Sequence, residues 1–341
     1  MIVLAFETSC DETSVAVLDN GKALSNIIAS QLFHSEFGGV VPEIASREHL
    51  KKIVEITEEA LSRSKKNLNE INLIAATSEP GLIGALLIGL NFAKSIAAAL
   101  NIPFVTVNHI QAHIYSTFLN QKRPEFPFIS LIVSGGHTLL ILVNNYFEHK
   151  ILGTTVDDAA GEAFDKVAKL LKLGYPGGPI IDKLAKQGNP EFHKFPLANV
   201  KNYPLNFSFS GIKTSVLYFL RDIDFENKRS DKLVNDLCAS FQYAVVESLY
   251  RKTLKAVQKY EIKNISISGG VSANSYLQKK FLSLNKEGYK VFIPDLEYST
   301  DNAAMIGLVG MLKYKLSKRK KYYSRESFNE KAKPRLDYDN F

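Results

Sequence analysis

Ile2-Val3-Leu4-Ala5-Phe6-Glu7-Thr8-Ser9-Cys10-Asp11-Glu12-Thr13-Ser14-Val15-Ala16-Val17-Leu18 opens the chain as strand, polar turn, strand. Residues 2–6 and 14–18 are short apolar runs, and Thr8 to Thr13 between them are small or polar. The pattern returns in Phe128-Ile129-Ser130-Leu131-Ile132-Val133-Ser134-Gly135-Gly136-His137-Thr138-Leu139-Leu140-Ile141-Leu142-Val143. There residues 128–133 and 139–143 flank the turn Ser134-Gly135-Gly136-His137-Thr138. Each hairpin heads one half of the 341-residue chain, a length that suits two domains. The reading is a duplicated α/β protein whose two hairpin tips border a cleft.

Outside the hairpins, strand-like and helix-like segments alternate. Apolar runs predict strands at 73–76, 265–268 and 291–293. Helical periodicity appears at 41–64, where Ile44, Ile53, Ile56, Ala60 and Leu61 share a face. Further helices are predicted at 82–100, 109–119, 162–171, 231–260, 272–284 and 300–316. Residues 188–206, with Pro190, Pro196 and Pro204, read as a loop.

Composition is that of an ordinary globular protein, 45% apolar and 23% charged. The net charge of +7 is concentrated: residues 313–341 hold ten Lys and Arg against four Asp and Glu. The body is thus near neutral, which excludes a uniformly basic histone-like chain and an acidic disordered one. The first apolar run stops at Glu7, too short for a signal peptide. The longest apolar stretch, 81–90, falls short of the ~20 residues of a bilayer span and reads as a buried helix. Two cysteines, Cys10 and Cys238, without CxxC spacing, suit a reducing cytoplasmic compartment and no membrane.

His109-Ile110-Gln111-Ala112-His113 places two imidazoles at i and i+4, on one face of a predicted helix. A divalent metal can bridge such a pair; two plain helix histidines are the alternative. A zinc-protease helix needs Glu after the first His, and this chain has Ile110. A third ligand candidate is Asp301, at the start of a predicted helix, where first-turn carboxylates are also common. Three Gly-Gly turns, at 135–136, 177–178 and 269–270, suggest a nucleotide or phosphate cleft. None fits the Walker A or GxGxxG patterns. Asp165 and Asp182 flank the middle turn, as ribose acceptors or as solvated helix residues.

With these residues in place, a resemblance becomes specific. Phe6-Glu7-Thr8-Ser9-Cys10-Asp11-Glu12-Thr13, Gly39-Val40-Val41-Pro42-Glu43, Asn108-His109 with His113, Ser134-Gly135-Gly136-His137-Thr138 and Gly161-Glu162-Ala163-Phe164-Asp165 all take part. Phe209-Ser210-Gly211-Ile212-Lys213-Thr214, Gly269-Gly270-Val271-Ser272-Ala273-Asn274 and Thr300-Asp301-Asn302-Ala303-Ala304 continue it. Together they resemble the tRNA N6-adenosine threonylcarbamoyltransferase family, bacterial TsaD type, over nearly the whole chain. The resemblance implies an ASKHA fold (actin, sugar kinase and Hsp70-like), with two related α/β halves around a cleft. The halves are expected at 1–124 plus 299–341 and at 125–298. It implies transfer of a threonylcarbamoyl group from threonylcarbamoyl-AMP to N6 of the tRNA adenosine 3′ of the anticodon, in tRNAs reading codons that begin with A.

The resemblance also implies residue roles. His109, His113 and Asp301 match the ligands of a divalent metal, iron or zinc. Val133, Ser134, Gly135, Gly136 and His137 match the substrate-contacting hairpin. Asp165, Gly178, Asp182 and Asn274 match positions that hold the adenylate's sugar and base. Asp11 and Glu12 match acidic residues near the reacting centre. The implied partners are tRNA, a catalytically silent TsaB-type paralogue, a small TsaE-type ATPase and a synthase that supplies threonylcarbamoyl-AMP. Two departures stand out: Glu79-Pro80-Gly81-Leu82 where the family usually has Gly-Pro-Gly-Leu, and Tyr276 where Arg is common. Lys318-Arg319-Lys320-Lys321-Tyr322-Tyr323 combines cations and aromatic faces suited to single-stranded RNA, or forms a solvated tail. The rival readings are an ASKHA small-molecule kinase, which has no need of the histidine pair, and a non-catalytic scaffold, which has no need of the three ligands.

Overall fold

The computed structural model describes residues 1–31, 39–317 and 325–336. Two compact units emerge, Met1–Arg123 with Pro294–Phe341, and Pro124–Ile293. In the first, β1 (Ile2–Glu7), β2 (Glu12–Asp19) and β3 (Lys22–Ser30) form an antiparallel meander. Strands β4 (Leu73–Glu79) and β5 (Phe104–Asn108) then add in parallel beyond β1, giving the order β3-β2-β1-β4-β5. The intervening helices are α1 (Pro42–Ser64) and α2 (Ile83–Leu100), followed by the short α3 (His109–Tyr115).

The alternation of β1 sends Leu4 and Phe6 into a core with Ile53, Ile56, Leu90 and Ala93, the inner faces of α1 and α2. Helix α2 is long and apolar enough to cross a membrane by composition. In this fold it packs against β4 and α1, burying Ala85, Leu86, Leu90, Ala93 and Ala97 while Ile83 and Leu87 stay exposed. The opposite sheet face is covered by the helix Ala303–Leu316, labelled α9 below. It approaches closely because Gly307 and Gly310 face the sheet. A Cβ on Gly310 would stand 2.5 Å from the Ala75 Cβ.

The second unit repeats this plan. Strands β6 (Phe128–Val133), β7 (Thr138–Asn145) and β8 (Glu148–Thr154) form an antiparallel meander. Strands β9 (Asn264–Ser268) and β10 (Lys290–Phe292) add in parallel beyond β6, in the order β10-β9-β6-β7-β8. The two sheets therefore share one strand order and one set of directions, as the two hairpins suggest. The helices are α4 (Ala160–Leu170), α5 (Gly177–Ala185), α6 (Ser210–Asp222), α7 (Asp231–Lys259) and α8 (Ser275–Leu282). Phe164, Phe241, Phe207, Phe209 and Phe281 dominate the core they enclose.

Several boundaries differ from the sequence reading. Strands β3, β5 and β8 and helix α6 add to the elements read from the sequence. The helix expected at 272–284 starts at Ser275, because the Asn274 side chain accepts from Leu277 N–H at 2.9 Å and caps it. The helix expected at 300–316 starts at Ala303, with Asn302 as its cap. Asp301 therefore stands one residue before the cap, outside the helix rather than in its first turn.

Candidate metal centre

Helix α3 begins where β5 ends. The Asn108 side chain accepts from Ile110 N–H at 2.9 Å and Gln111 N–H at 3.1 Å, which fixes the first turn. His109 and His113 then stack one above the other, ring centroids 4.6 Å apart and nearly perpendicular. Asp301 arrives from the chain just before α9. That helix start is gripped by the first sheet: Ala303 N–H donates to Ser14 Oγ at 2.9 Å, and Ala304 N–H to Asn26 Oδ1 at 3.3 Å.

The result is a compact trio. Asp301 Oδ1 lies 3.1 Å from His113 Nε2 and 3.4 Å from His109 Nε2, and the two Nε2 atoms are 3.1 Å apart. Ligand atoms about 2.0–2.1 Å from one cation, at angles between square and tetrahedral, lie about 2.9–3.4 Å from one another. The observed spacings fall in that range. Both imidazoles are buried, while Asp301 leaves 21% of its side chain exposed, so the trio is open on its carboxylate side.

Behind the trio stands Glu7, the last residue of β1, fully buried. His109 Nδ1 donates to Glu7 Oε2 at 3.1 Å, and Ser9 Oγ lies 3.3 Å from the same nitrogen. Glu7 also accepts from Ser9 N–H and Thr77 Oγ1–H. A carboxylate on the far nitrogen is the usual support of a metal-bound histidine: it fixes the tautomer and turns Nε2 toward the ion. Neither spacing nor periodicity marks Glu7. The one available signal is a carboxylate closing an otherwise apolar strand.

The electrostatics agree with a cation site. Burial pushes the His109 pKa down, but the charges of Asp301 and Glu7 outweigh it and hold it well above the usual imidazole range. Burial raises Asp301, yet His109 and His113 pull it well below the ordinary carboxylate range. Burial and the charge of His109 lower His113. Glu12, first residue of β2, is raised well above the usual range by burial and by the charges of Asp301 and Asp11. Glu7 and Asp301 thus flank His109, one carboxylate at each ring nitrogen. His109, His113 and Asp301 form a site able to hold a divalent metal ion.

The candidates of the second unit form a connected set at the carboxyl ends of β6 and β9, the usual position for ligands in α/β sheets. Val133 ends β6, and Gly269 follows β9 with φ +89°. A Cβ there would lie 2.4 Å from the Val133 carbonyl oxygen. Ser134 accepts from His137 N–H at its Oγ, 3.1 Å away, and from Gly161 N–H at its carbonyl, 3.2 Å away. Gly135 and Gly136 are exposed at the tip.

Asp165 Oδ1 accepts from Gly177 N–H at 2.7 Å, joining α4 to α5. Asp182 Oδ1 accepts from Ser275 N–H and Oγ–H at 3.1 and 2.8 Å, joining α5 to α8. Asn274 caps α8 and donates to Gln242 Oε1 at 2.6 Å. Around Gly178 and Gly270 there is open space. Asp165 and Asp182 are therefore not merely solvated helix residues; each ties two helices. The basic and aromatic stretch 318–323 lies outside the described residues. The departure Glu79 bridges Asn108 Nδ2 at 3.4 Å and Lys333 Nζ at 3.4 Å.

The family profile described as TsaD, tRNA N6-adenosine threonylcarbamoyltransferase, matches residues 22–308. A protein of that name from Chloroherpeton thalassium is 52% identical over 326 residues, covering 92% of each chain. Another, from Thermosipho africanus, is 50% identical over 317 residues, covering 92% of this chain and 95% of its own. Among solved structures, T. kodakarensis HypF superimposes with a TM-score of 0.61 at 15% identity, covering 92% of this chain and 47% of HypF. A 2-hydroxyisocaproyl-CoA dehydratase activator from Clostridium difficile gives 0.55 at 11% identity, covering 94% and 98%. At such identities these structures are similar in fold alone.

Proposed function

Because the chain belongs to the TsaD family of tRNA N6-adenosine threonylcarbamoyltransferases, we propose that it moves the threonylcarbamoyl group of threonylcarbamoyl-AMP to N6 of a tRNA adenosine. The acceptor is position 37, just 3′ of the anticodon, in tRNAs reading codons that begin with A, and AMP leaves. The observation that carries this reading is the His109–His113–Asp301 trio within a chain of that membership.

An exocyclic adenine amine is a poor nucleophile, since its lone pair is delocalised into the ring, so the acyl group needs activation. His109, His113 and Asp301 would hold a divalent ion, iron foremost or else zinc, which would supply Lewis-acid stabilisation worth several kcal/mol. Glu7 orients His109 through Nδ1 and leaves Nε2 for the ion. Asp11 or Glu12 orients the amine and takes its proton as the new bond forms. Val133 to His137 present backbone to the acyl-phosphate end, and Gly178 leaves room for the nucleoside. Asp165, Asp182 and Asn274 set the turns around it.

The TsaB-type paralogue, the TsaE-type ATPase and the synthase complete the system. Leu50 and Val54 on α1, with Ile83 and Leu87 on α2, are exposed apolar pairs at helical spacing and suit the paralogue as partner. A chain acting on tRNA, with both cysteines free, works in the cytoplasm. The test is incubation of the protein and its paralogue and ATPase with tRNA, threonine, bicarbonate, ATP and the synthase. N6-threonylcarbamoyladenosine in the digested tRNA is expected, and its loss when His109 is replaced by Ala. No product in the complete mixture refutes the reading.

A further inference from the structure

We propose that His49 is a positioning residue that holds the Asp11–Glu12 hairpin tip in its working place, an inference that rests on the role given to those carboxylates above. His49 lies in α1, far from the metal trio in sequence, and is wholly buried. Its two ring nitrogens bond the residues immediately before and after the acidic pair. Nε2 lies 2.9 Å from the Cys10 carbonyl oxygen, and Nδ1 lies 2.8 Å from Thr13 Oγ1.

A carbonyl only accepts, so Nε2 carries the proton and Nδ1 accepts from the Thr13 hydroxyl. One neutral tautomer therefore satisfies both sides. The other side of the tip is held independently. Thr8 Oγ1 donates to the Ala85 carbonyl at 2.9 Å, and Leu82 N–H donates to the Ser9 carbonyl at 2.8 Å. Ser9 is also the residue that touches His109. The tip is thus pinned to α2 on its metal side and to His49 on its acidic side. A histidine serving the core alone needs no such pairing across two carboxylates.

Single-turnover transfer from threonylcarbamoyl-AMP to a tRNA transcript, with the full chain, paralogue and ATPase present, tests this. His49→Leu is expected to slow transfer at least tenfold, with adenylate affinity and metal content within twofold of the parent. His49→Gln keeps a donor for the Cys10 carbonyl and should recover part of the rate. Thr13→Val should slow transfer less, and the His49→Leu/Thr13→Val double variant should be no slower than His49→Leu alone. A rate within twofold of the parent in His49→Leu overturns the proposal. So does a loss matched by equal losses in metal content and adenylate binding, which marks a purely structural residue. Where His49→Leu does not fold, parental rates in both His49→Gln and Thr13→Val overturn it. Asp11→Asn and Glu12→Gln separate the two levels. Parental rates in both remove the amine-handling reading itself, whereas slow ones beside a fast His49→Leu remove only the clamp.

Discussion

Replacing Glu7 by Gln removes one charge and almost no volume, so its effect isolates the support behind His109. In the parent, Glu7 offers four acceptor lone pairs to three donors: His109 Nδ1–H, Thr77 Oγ1–H and Ser9 N–H. Glutamine has one carbonyl oxygen. Turned toward His109 and Thr77, it keeps those two bonds, and its amino group then meets the Ser9 N–H, donor against donor. A buried donor left unpaired costs about 1–3 kcal/mol, so global stability should fall by that order. The imidazole also loses the negative charge that makes it a stronger ligand. Such second partners are worth about 10–100-fold in metal affinity, or about 1.4–2.7 kcal/mol. Competition against a chromophoric chelator, with zinc and with anaerobic ferrous iron, reads this directly. An affinity within twofold of the parent refutes the claim that Glu7 tunes the site, whatever happens to stability.

Three further outcomes follow from the packing and the charges. Gly310→Ala puts a Cβ 2.5 Å from the Ala75 Cβ, where carbon atoms prefer about 3.5–4.0 Å. Overpacking of about 1–3 kcal/mol, offset by about 1 kcal/mol of helix propensity, leaves a net loss of up to about 2 kcal/mol that should lower the urea midpoint, and a higher midpoint contradicts the close approach of α9. The Asp158 carboxyl is opposed by burial but held below its ordinary range by Lys166, 2.7 Å away, with Lys213 assisting. Its folded pKa being depressed, its contribution is present above about pH 4 and lost as pH falls through the folded value. Asp158→Asn should therefore flatten the acid limb of melting temperature against pH, by less than about 1 kcal/mol for this partly exposed pair, and an unaltered slope speaks against the ion pair. Burial pushes the Cys238 thiol up to about 12, and burial with the charges of Asp11, Asp301 and Glu12 also raises Cys10. Neither should react with a thiol reagent at pH 8 until the protein is unfolded, and rapid native labelling would show an open site.

The parts of the fold legible in the sequence were those written in local pattern. The central strands β1 and β6 are near-continuous apolar runs because both of their faces are covered. The strands that went unread, β3, β5 and β8, are all sheet edges. In β3 and β8 a partly exposed face admits Lys22, Asn26, Glu148 and Lys150, so the apolar run dissolves. The site divides in the same way. His109 and His113 are visible because a helix turn relates them. Glu7, Thr77 and His49 depend on which strands and helices become neighbours, and no spacing along the chain records that.

Adjacency also explains why one plan serves two kinds of contact. In the first unit β1, β4 and β5 run parallel side by side, about 4.8 Å apart. Glu7, Thr77 and His109 come from the carboxyl ends of these three strands, and so their side chains bond in a row. The row needs side chains long enough to span a strand spacing, which a carboxylate and an imidazole are. In the second unit the corresponding ends are Val133 on β6 and Ser268 on β9, and a Cβ on the next residue, Gly269, would lie 2.4 Å from the Val133 carbonyl oxygen. Any side chain at 269 would collide with that carbonyl, and φ +89° disfavours one in any case. The same topology therefore projects side-chain ligands from one sheet and bare backbone from the other. A cation suits the first of these, because carboxylate and imidazole are cation ligands.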